Sequence, residues 1–386
     1  MPRTTTSTLF CLTLAALAPA CVDLDLGASS ESEPAVATGQ QDLIIVPQPY
    51  LCDRNFVVYR RAGEAVNDSF RYQPYCATGN LQVRGSYPGY TKLVFVQHGR
   101  SPIAQTYEDY ALSAAVKAGV DDETFIVAPH FLRFNDWKKY IGDWPWDFDE
   151  GTDFHWYASD WAIGETSYQN GNKLARSSFE IYDLMVQAAI QRLPDLEEVI
   201  FIGQSAGGQF MHRYAAVSTL DLPAHLDVRY LSANSQSYLY FDGSRPYDVV
   251  DPGDVGGGSQ DPPNENNCPG YNDYHVGLGS FDPIHQGYII DVGGPQIISQ
   301  YKYRDVTYLV GALDTSDPEG LSCRMDVQGP NRLERALAYG DYIQNFYAPW
   351  AINHRVQVVP GVGHGGGIID EDCAVRWMFD DDGFCP

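Results

Sequence analysis

Short apolar runs alternate with amphipathic segments along most of this sequence, and this alternation restricts the fold more than any other feature. Runs typical of buried strands occupy residues 92–96, 124–128, 199–203, 228–232, 306–311 and 355–359. Apolar side chains recur at helical spacing between them, over residues 103–119, 177–193, 205–216 and 332–347. Because parallel strands need a crossover connection, this pattern predicts an α/β fold with a mostly parallel central sheet and helices on both faces.

The chain is expected to divide into a signal peptide, a tether and one domain. Residues 1–20 have the pattern of a signal peptide. Residues 21–42 are rich in Ser, Glu, Asp, Ala and Gly, with few large apolar side chains, which is typical of a solvated tether. Residues 43–386 are therefore expected to form a single α/β domain. It begins with short β-rich runs at residues 43–46, 56–60 and 81–85.

Two long insertions interrupt the alternation of strands and helices, at about residues 132–170 and 240–300. The first is rich in aromatic residues, and the second is rich in Pro, Gly and Asn. Loops of this length inside a compact domain are usually functional or held by disulfides. Long disulfide-held loops are therefore part of the predicted fold.

The N-terminus predicts export. Arg3 precedes an apolar run at residues 9–18, which is too short to span a bilayer but has the length of a secretory h-region. The run ends in Ala-Pro-Ala, so cleavage is expected after Ala20. General signal peptidase accepts this ending, whereas a small residue followed by Cys21 resembles the lipoprotein box of bacteria. Lipid anchoring to the cell envelope through Cys21 is the expectation, and a periplasmic or secreted protein is the alternative.

The cysteine count favours lipidation. The chain contains eight cysteines, and cleavage would remove Cys11 and leave an odd number. If Cys21 carries lipid, the others can pair in an oxidising compartment. Several connectivities are possible, and pairing between cysteines that are neighbours in the sequence is the expectation: Cys52 with Cys76, Cys268 with Cys323, and Cys373 with Cys385. Metal binding is the alternative, but no pair has the CxxC spacing that zinc sites favour.

Charge excludes some partners. The chain has 50 acidic and 25 basic residues, which gives a formal charge of −25 at pH 7. This excess repels nucleic-acid phosphates and anionic membrane surfaces. No nucleic-acid partner is expected, and membrane contact is expected only through a lipid on Cys21.

The strand predicted at residues 199–203 runs directly into G-Q-S-A-G, a GxSxG pattern, and a helix follows. In this context a sharp strand-to-helix turn lifts the serine hydroxyl, here that of Ser205, above the edge of the sheet. Glycine at Gly203 and Gly207 lets the backbone and the helix approach closely. The alternative is a glycine-rich turn in which Ser205 only caps the helix.

Two later predicted strands also lead to candidate residues: residues 306–311 run into G-A-L-D, which ends at Asp314, and residues 355–359 are followed by P-G-V-G-H, which ends at His364. Together with the GxSxG motif, this order resembles the α/β-hydrolase superfamily of serine hydrolases, over about residues 85–370. The resemblance implies a triad in the order nucleophile, acid and base, with the acid after a late strand and the base after the last one. Ser205 then matches the nucleophile, Asp314 the acid and His364 the base. Asp317 is the alternative acid, and either aspartate can instead be a turn-forming residue.

A second segment, Q-H-G-R at residues 97–100, follows a predicted central strand and resembles the oxyanion loop of the same superfamily. The resemblance implies that the backbone N–H groups of Arg100 and Ala206 stabilise the oxyanion. Gly99 is the glycine of this loop, and His98 is expected to order it by hydrogen bonding.

The resemblance implies hydrolysis of a carboxylic ester through an acyl-enzyme, without a cofactor or a metal. The segments S-A-G-G-Q at residues 205–209, R-Y-A at residues 213–215 and Q-G-P-N-R at residues 328–332 are similar to secreted α/β-hydrolases related to polyester depolymerases and feruloyl-type esterases. This similarity implies a small or polymeric ester of a hydroxy or aromatic acid as substrate. Two alternatives remain. One is a serine peptidase or amidase on the same fold, and the other is a catalytically silent surface binding protein.

Overall fold

An eight-stranded sheet lies at the centre of the fold. The computed structural model describes residues 51–101, 103–134, 152–168, 172–251, 254–257, 263, 266–316, 322–380 and 385, all within the unit Pro47–Pro386. The strands in these segments are β1 (Leu51–Tyr59), β2 (Phe70–Ala77), β3 (Lys92–Gln97), β4 (Thr124–Pro129), β5 (Leu132–Arg133), β6 (His155–Trp156), β7 (Glu198–Gln204), β8 (Asp227–Ala233), β9 (Tyr247–Asp251), β10 (Asp254–Gly257), β11 (Asp305–Gly311) and β12 (Asn353–Val359).

The sheet is mostly parallel, which confirms the predicted fold class. Its strand order is β1-β2-β4-β3-β7-β8-β11-β12. β1 and β2 pair antiparallel, and β2 pairs antiparallel with β4. All pairs from β4 to β12 are parallel, so their carboxyl ends meet at one edge of the sheet. The candidate residues Ser205, Asp314 and His364 follow β7, β11 and β12 at that edge.

Helices cover both faces of the sheet. Those in the described segments are α1 (Ala104–Ala118), α2 (Ser178–Ile190), α3 (Ala206–Val217), α4 (Gly287–Val292), α5 (Gly294–Tyr301), α6 (Cys323–Asp326), α7 (Arg332–Tyr347) and α8 (Asp372–Phe379). One buried cluster includes side chains of α2, α3 and α7, and another includes side chains of α1 and α8. In the part of the chain that the structure describes, no helix is both long and apolar enough to cross a membrane.

The continuous apolar run of β7 follows from burial on both faces. Val199 and Phe201 belong to the cluster beneath α2 and α3, whereas Ile200 and Ile202 belong to the cluster beneath α1 and α8. Successive side chains of a strand point to opposite faces, so a strand covered on both sides needs apolar residues at every position.

Residues 81–85 form turns and bends, so the strand predicted there is wrong. Side-chain hydrogen bonds replace the ladder of a strand. Gln82 accepts from the Val57 backbone N–H and donates to its carbonyl, while the Leu81 N–H donates to the Tyr75 hydroxyl. The β-rich run predicted at residues 43–46 lies outside the described residues, as do the predicted signal peptide, Cys21 and the tether.

Both predicted insertions are described in part. In the first, Phe154, Trp156 and Trp161 are fully buried and pack over the sheet, whereas Tyr157 is exposed. The second contains the two short helices α4 and α5, which were not predicted because this segment is rich in Pro and Gly.

Two of the three predicted disulfides are present, Cys268–Cys323 and Cys373–Cys385. The first joins the second insertion to the start of α6, and the second holds Cys385 against α8. Cys76 is also disulfide-bonded. The side chain of Cys52, its predicted partner, lies outside the described residues.

A chain of buried hydrogen bonds crosses from α3 to the last two strands. The Leu239 N–H donates to His212 Nε2, so the proton of His212 lies on Nδ1 and is donated to the Tyr301 hydroxyl. The Tyr301 hydroxyl donates to that of Tyr308, which donates to His354 Nδ1. His354 Nε2–H donates to the Tyr301 carbonyl. These directions are satisfied together only if both imidazoles are neutral.

Low pH is expected to weaken this series of hydrogen bonds. Burial lowers the pKa of His354 to about 4 and holds the pKa of His212 well below its usual range. A histidine with a lowered pKa stabilises the folded state fully above its unfolded pKa of about 6.5, and that contribution is lost as the pH falls toward the folded value. Between pH 7 and pH 4.5 the loss from His354 amounts to about 2 kcal/mol.

The free energy of unfolding should fall between pH 7 and pH 4.5 in both the wild type and His354→Phe. We expect this fall to be about 2 kcal/mol smaller in His354→Phe than in the wild type. Urea unfolding at both pH values measures this difference. His225 is exposed, so His225→Gln serves as the control and should behave as the wild type does. An equal loss in His354→Phe and in the wild type would show that His354 is not the titrating group.

Candidate active site

Ser205 occupies the sharp turn between β7 and α3. Its φ is 58° and its ψ is −115°, a left-handed conformation that is rare outside glycine. The Ser205 N–H donates to the Ala233 carbonyl at the end of β8, with N and O 2.9 Å apart. This bond ties the strained residue to the neighbouring strand and leaves its side chain partly exposed at the edge of the sheet.

Close backbone packing around the turn requires glycine. A Cβ on Gly203 would overlap the Gly207 carbonyl, and a Cβ on Gly207 would overlap the carbonyls of Gln97 and His98. The two glycines of the sequence motif therefore serve different contacts. Gly203 lets the helix return over the strand, and Gly207 lets the helix approach the end of β3.

Three of the predicted site residues are joined by hydrogen bonds. His364 Nε2 lies 3.0 Å from Ser205 Oγ, and His364 Nδ1 lies 2.8 Å from Asp314 Oδ2. Because a carboxylate accepts, the His364 proton lies on Nδ1 and Nε2 accepts from the serine. The side chain of Asp314 is fully buried, whereas that of His364 is 30% exposed. The site therefore opens to solvent at the serine and the histidine.

Asp314 is held by a buried cation and by the backbone. Its Oδ1 lies 3.5 Å from Arg332 Nη1, in an ion pair in which both side chains are buried. The Asp314 N–H donates to Gly311 at the end of β11, and its carbonyl accepts from the Leu333 N–H in the first turn of α7. Asp317, the alternative acid, lies outside the described residues.

The predicted oxyanion loop, residues 97–100, lies beside the elbow, which is the turn from β7 into α3 at residues 203–207, and His98 orders the loop. The Phe131 N–H donates to His98 Nε2 at 3.0 Å, so the proton lies on Nδ1, which donates to the Gly99 carbonyl at 2.7 Å. His98 is fully buried and its ring centre lies 4.7 Å from that of Trp161. The imidazole thus links this loop to the segment that follows β4.

Tyr107 and Gln204 complete the support of the loop. The Tyr107 hydroxyl donates to Gln204 Oε1 at 2.7 Å, and burial raises the pKa of Tyr107 to about 12, so the hydroxyl keeps its proton. A Cβ on Gly99 would lie 2.7 Å from the Tyr107 hydroxyl oxygen, which explains glycine at that position. Arg100 follows Gly99 in the loop and is exposed, and Ala206 is the first residue of α3.

Three residues of the site were not identified from the sequence. Tyr107 lies within the apolar pattern of α1, where an aromatic side chain ordinarily indicates packing. Gln204 is the variable residue of the GxSxG pattern. Asn234 directly follows β8 and contacts the segments that bear Asp314 and His364. A polar residue at the carboxyl end of a central parallel strand was the available signal for Asn234.

Comparison with solved structures finds several that this chain resembles. A poly(3-hydroxybutyrate) depolymerase from Bordetella parapertussis is 20% identical over 86% of this chain and 91% of its own, with a TM-score of 0.51. A poly(aspartic acid) hydrolase-1 from Sphingomonas sp. KT-1 is 16% identical over 85% and 100%, with a TM-score of 0.47. A siderophore hydrolase from Aspergillus nidulans is 9% identical over 91% and 99%, with a TM-score of 0.41.

The sequence matches no protein-family model and no curated protein. The fold is therefore identified from structure. With its parallel sheet, its flanking helices and its strand-turn-helix elbow, the chain has the α/β-hydrolase fold. The solved structures that it resembles include one depolymerase and several hydrolases.

The close backbone contact at Gly207 predicts that adding one methyl group there strongly lowers the stability of the protein. We expect Gly207→Ala to lower the free energy of unfolding by about 2 kcal/mol or more, because its Cβ would overlap backbone carbonyls that cannot move aside cheaply. Gly287→Ala at the start of α4 is the matched control, since a Cβ there meets nothing within 4 Å. Thermal unfolding of both variants measures the difference. Equal stability of the two variants would contradict the packing described for the elbow.

Proposed function

We propose that this protein is an exported serine hydrolase that cleaves carboxylic esters through an acyl-enzyme. The observation that carries the proposal is the hydrogen-bonded series of Ser205, His364 and Asp314 at the edge of a parallel sheet. A serine, an imidazole and a buried carboxylate in this sequence of contacts form the arrangement that activates a hydroxyl for nucleophilic attack. A serine that only caps a helix needs neither partner, and the Ser205 side chain makes no capping bond.

In the proposed first step, His364 Nε2 takes the hydroxyl proton as Ser205 Oγ attacks the acyl carbonyl. The imidazole then carries a proton on each nitrogen. Asp314 stabilises this cation and holds the ring in the orientation that presents Nε2 to the serine. Arg332 balances the charge of the buried carboxylate when the imidazole is neutral.

Backbone N–H groups are proposed to stabilise the oxyanion. Ala206 begins α3, where the first N–H groups have no intrahelical partner and the helix dipole is positive. Arg100 follows Gly99 in the loop that His98 and Tyr107 support, and its N–H is proposed as the second donor. His364 then protonates the leaving alcohol, and water attacks the acyl-enzyme with His364 as the base. This cycle uses no cofactor and no metal.

The proposed substrate is a small or polymeric ester of a hydroxy or aromatic acid. The similarity of sequence segments to secreted polyester depolymerases supports this choice, as does the shared fold with a poly(3-hydroxybutyrate) depolymerase. An exposed apolar residue is the neighbour of the proposed acid in the sequence: Leu313 precedes Asp314 and is 62% exposed. A neutral ester also suits an acidic protein, since it requires no basic pocket.

Replacement of the proposed nucleophile tests the reaction. We expect Ser205→Ala to lower kcat on p-nitrophenyl esters by roughly 10⁴-fold or more, because the triad acts as a unit. Ser244→Ala is the control, since Ser244 bonds to Asp242 in an exposed turn. Turnover by Ser205→Ala near that of the wild type would exclude the proposed mechanism.

The choice of acid has a test of its own. We expect Asp314→Asn to lower kcat roughly 10³- to 10⁴-fold, because an amide at this position no longer selects the imidazole tautomer that accepts from Ser205. Asp317→Asn should retain most of the turnover. The reverse ranking in steady-state kinetics would make Asp317 the acid.

Paired substrates separate an esterase from an amidase. We expect hydrolysis of p-nitrophenyl esters and much slower hydrolysis of p-nitroanilides with the same acyl group. Faster cleavage of the anilides would favour the peptidase or amidase alternative, and no cleavage of either by folded protein would favour the silent binding protein. Esters of graded acyl length then measure the size of the acyl pocket.

A further inference from the structure

We propose that Asn234 is a positioning residue of the active site, which joins the segment that bears the acid to the segment that bears the base. This inference rests on the function proposed above. Asn234 directly follows β8 and is fully buried. Its side-chain amide bonds to the backbone of the last residue of β11 and to the backbone of the segment that follows β12.

Each half of the amide holds one segment. The Gly311 N–H donates to Asn234 Oδ1 at 2.9 Å, and Asn234 Nδ2 donates to the Gly363 carbonyl at 3.0 Å. Gly311 also accepts from the Asp314 N–H, so the first bond acts on the turn that presents the acid. The Gly363 carbonyl belongs to the peptide unit that leads into His364, so the second bond acts on the backbone of the base.

Asparagine suits this position for two independent reasons. The bridge needs one acceptor and one donor side by side, and a carboxamide supplies both, whereas a carboxylate supplies only acceptors. The backbone of Asn234 has a φ of 46°, a left-handed conformation that Gly, Asn and Asp adopt most readily. Asn is the residue among these three that meets both requirements.

The end of β8 also fixes the nucleophile. The Ala233 carbonyl accepts from the Ser205 N–H, and the Asn234 N–H donates to the Leu309 carbonyl of β11, with N and O 2.8 Å apart. Two consecutive residues therefore contact the backbone of all three segments that carry Ser205, Asp314 and His364.

The bond to Gly363 acts closest to the base. The segment after β11 also bonds directly to the last residue of β12 and to the segment after it. The Ala312 N–H donates to the Val359 carbonyl, and the Leu313 N–H donates to the Val362 carbonyl. These two bonds lie before the turn that carries His364. The Gly363 carbonyl lies within the turn, where it also accepts from the Gly365 N–H. Asn234 thus holds the backbone of the turn that carries His364.

Loss of this bridge should affect turnover more than binding. A displacement of about 1 Å in a catalytic group costs roughly 10²-fold in rate, whereas contacts between substrate and pocket need not change. We expect Asn234→Gly to lower kcat about 10-fold or more, with KM little changed. Glycine accepts the φ of 46°, so this variant removes both side-chain bonds without backbone strain.

Asn234→Asp separates the two halves of the bridge. A carboxylate still accepts from the Gly311 N–H, but it cannot donate to the Gly363 carbonyl and repels it. We expect slow hydrogen exchange of the Gly311 amide in the wild type and in Asn234→Asp, and faster exchange in Asn234→Gly. Turnover should fall in both variants.

The matched control is Asn80→Gly. Asn80 Oδ1 accepts from the Gln82 N–H and the Tyr75 hydroxyl near the β1–β2 edge of the sheet, so its loss also removes two bonds. Kinetics on a p-nitrophenyl ester, hydrogen exchange and thermal unfolding are measured for all variants and for Ser205→Ala. Asn80→Gly should keep the turnover of the wild type.

The outcomes are distinct. Lower kcat in folded Asn234→Gly, together with faster exchange at Gly311, supports the positioning role. Wild-type turnover in Asn234→Gly overturns the positioning role. Asn234 would then serve only the left-handed backbone conformation at this position. If the wild type turns over no faster than Ser205→Ala, the proposed function has failed. The positioning role then fails as well, even if faster exchange of the Gly311 amide in Asn234→Gly shows that the hydrogen bond to Asn234 exists.

Discussion

The close approach of the backbone at Ser205 is the constraint on which the rest of the site depends. A left-handed residue between a buried strand and a helix raises its side chain above the sheet, and it also crowds the helix against neighbouring strands. Gly203 and Gly207 accept that crowding because any Cβ would overlap a carbonyl. The position of Ser205 is thereby set by backbone contacts that do not depend on side-chain rotamers.

The other site residues reach Ser205 because the strands are parallel. Their carboxyl ends share one edge, and each segment that leaves the edge carries one group of the proposed triad. Hydrogen bonds at this edge then fix the relative positions of the segments, at Ala233 for the nucleophile and at Asn234 for the acid and the base. Within the core, the hydrogen-bonded series of His212, Tyr301, Tyr308 and His354 links α3, α5, β11 and β12.

Much of this arrangement could be predicted from the sequence because its signals are local. Apolar runs gave the central strands, since burial on both faces demands apolar residues at every position. The spacing of G-Q-S-A-G between a predicted strand and a predicted helix indicated the turn at Ser205, and the resemblance to the α/β-hydrolase superfamily implied Asp314 and His364. The pairings Cys268–Cys323 and Cys373–Cys385 followed from neighbourhood in the sequence.

The remainder depends on contacts between distant segments, which no local pattern records. Gln82 uses its side chain to bond to β1, so a β-rich run at residues 81–85 becomes a series of turns. Asn234 looks like an ordinary turn residue until the ends of β11 and β12 lie beside it. Tyr107 matches the apolar pattern of α1, and only the fold brings its hydroxyl to Gln204.

Mapping of a covalent adduct tests whether Ser205 is a nucleophile activated by His364. The protein is incubated with a fluorophosphonate, and the modified peptide is identified by mass spectrometry. We predict one adduct, on Ser205, at a rate that falls strongly in His364→Gln and with no adduct in Ser205→Ala. An unmodified Ser205 in folded wild-type protein, or equal labelling of His364→Gln, would contradict the account.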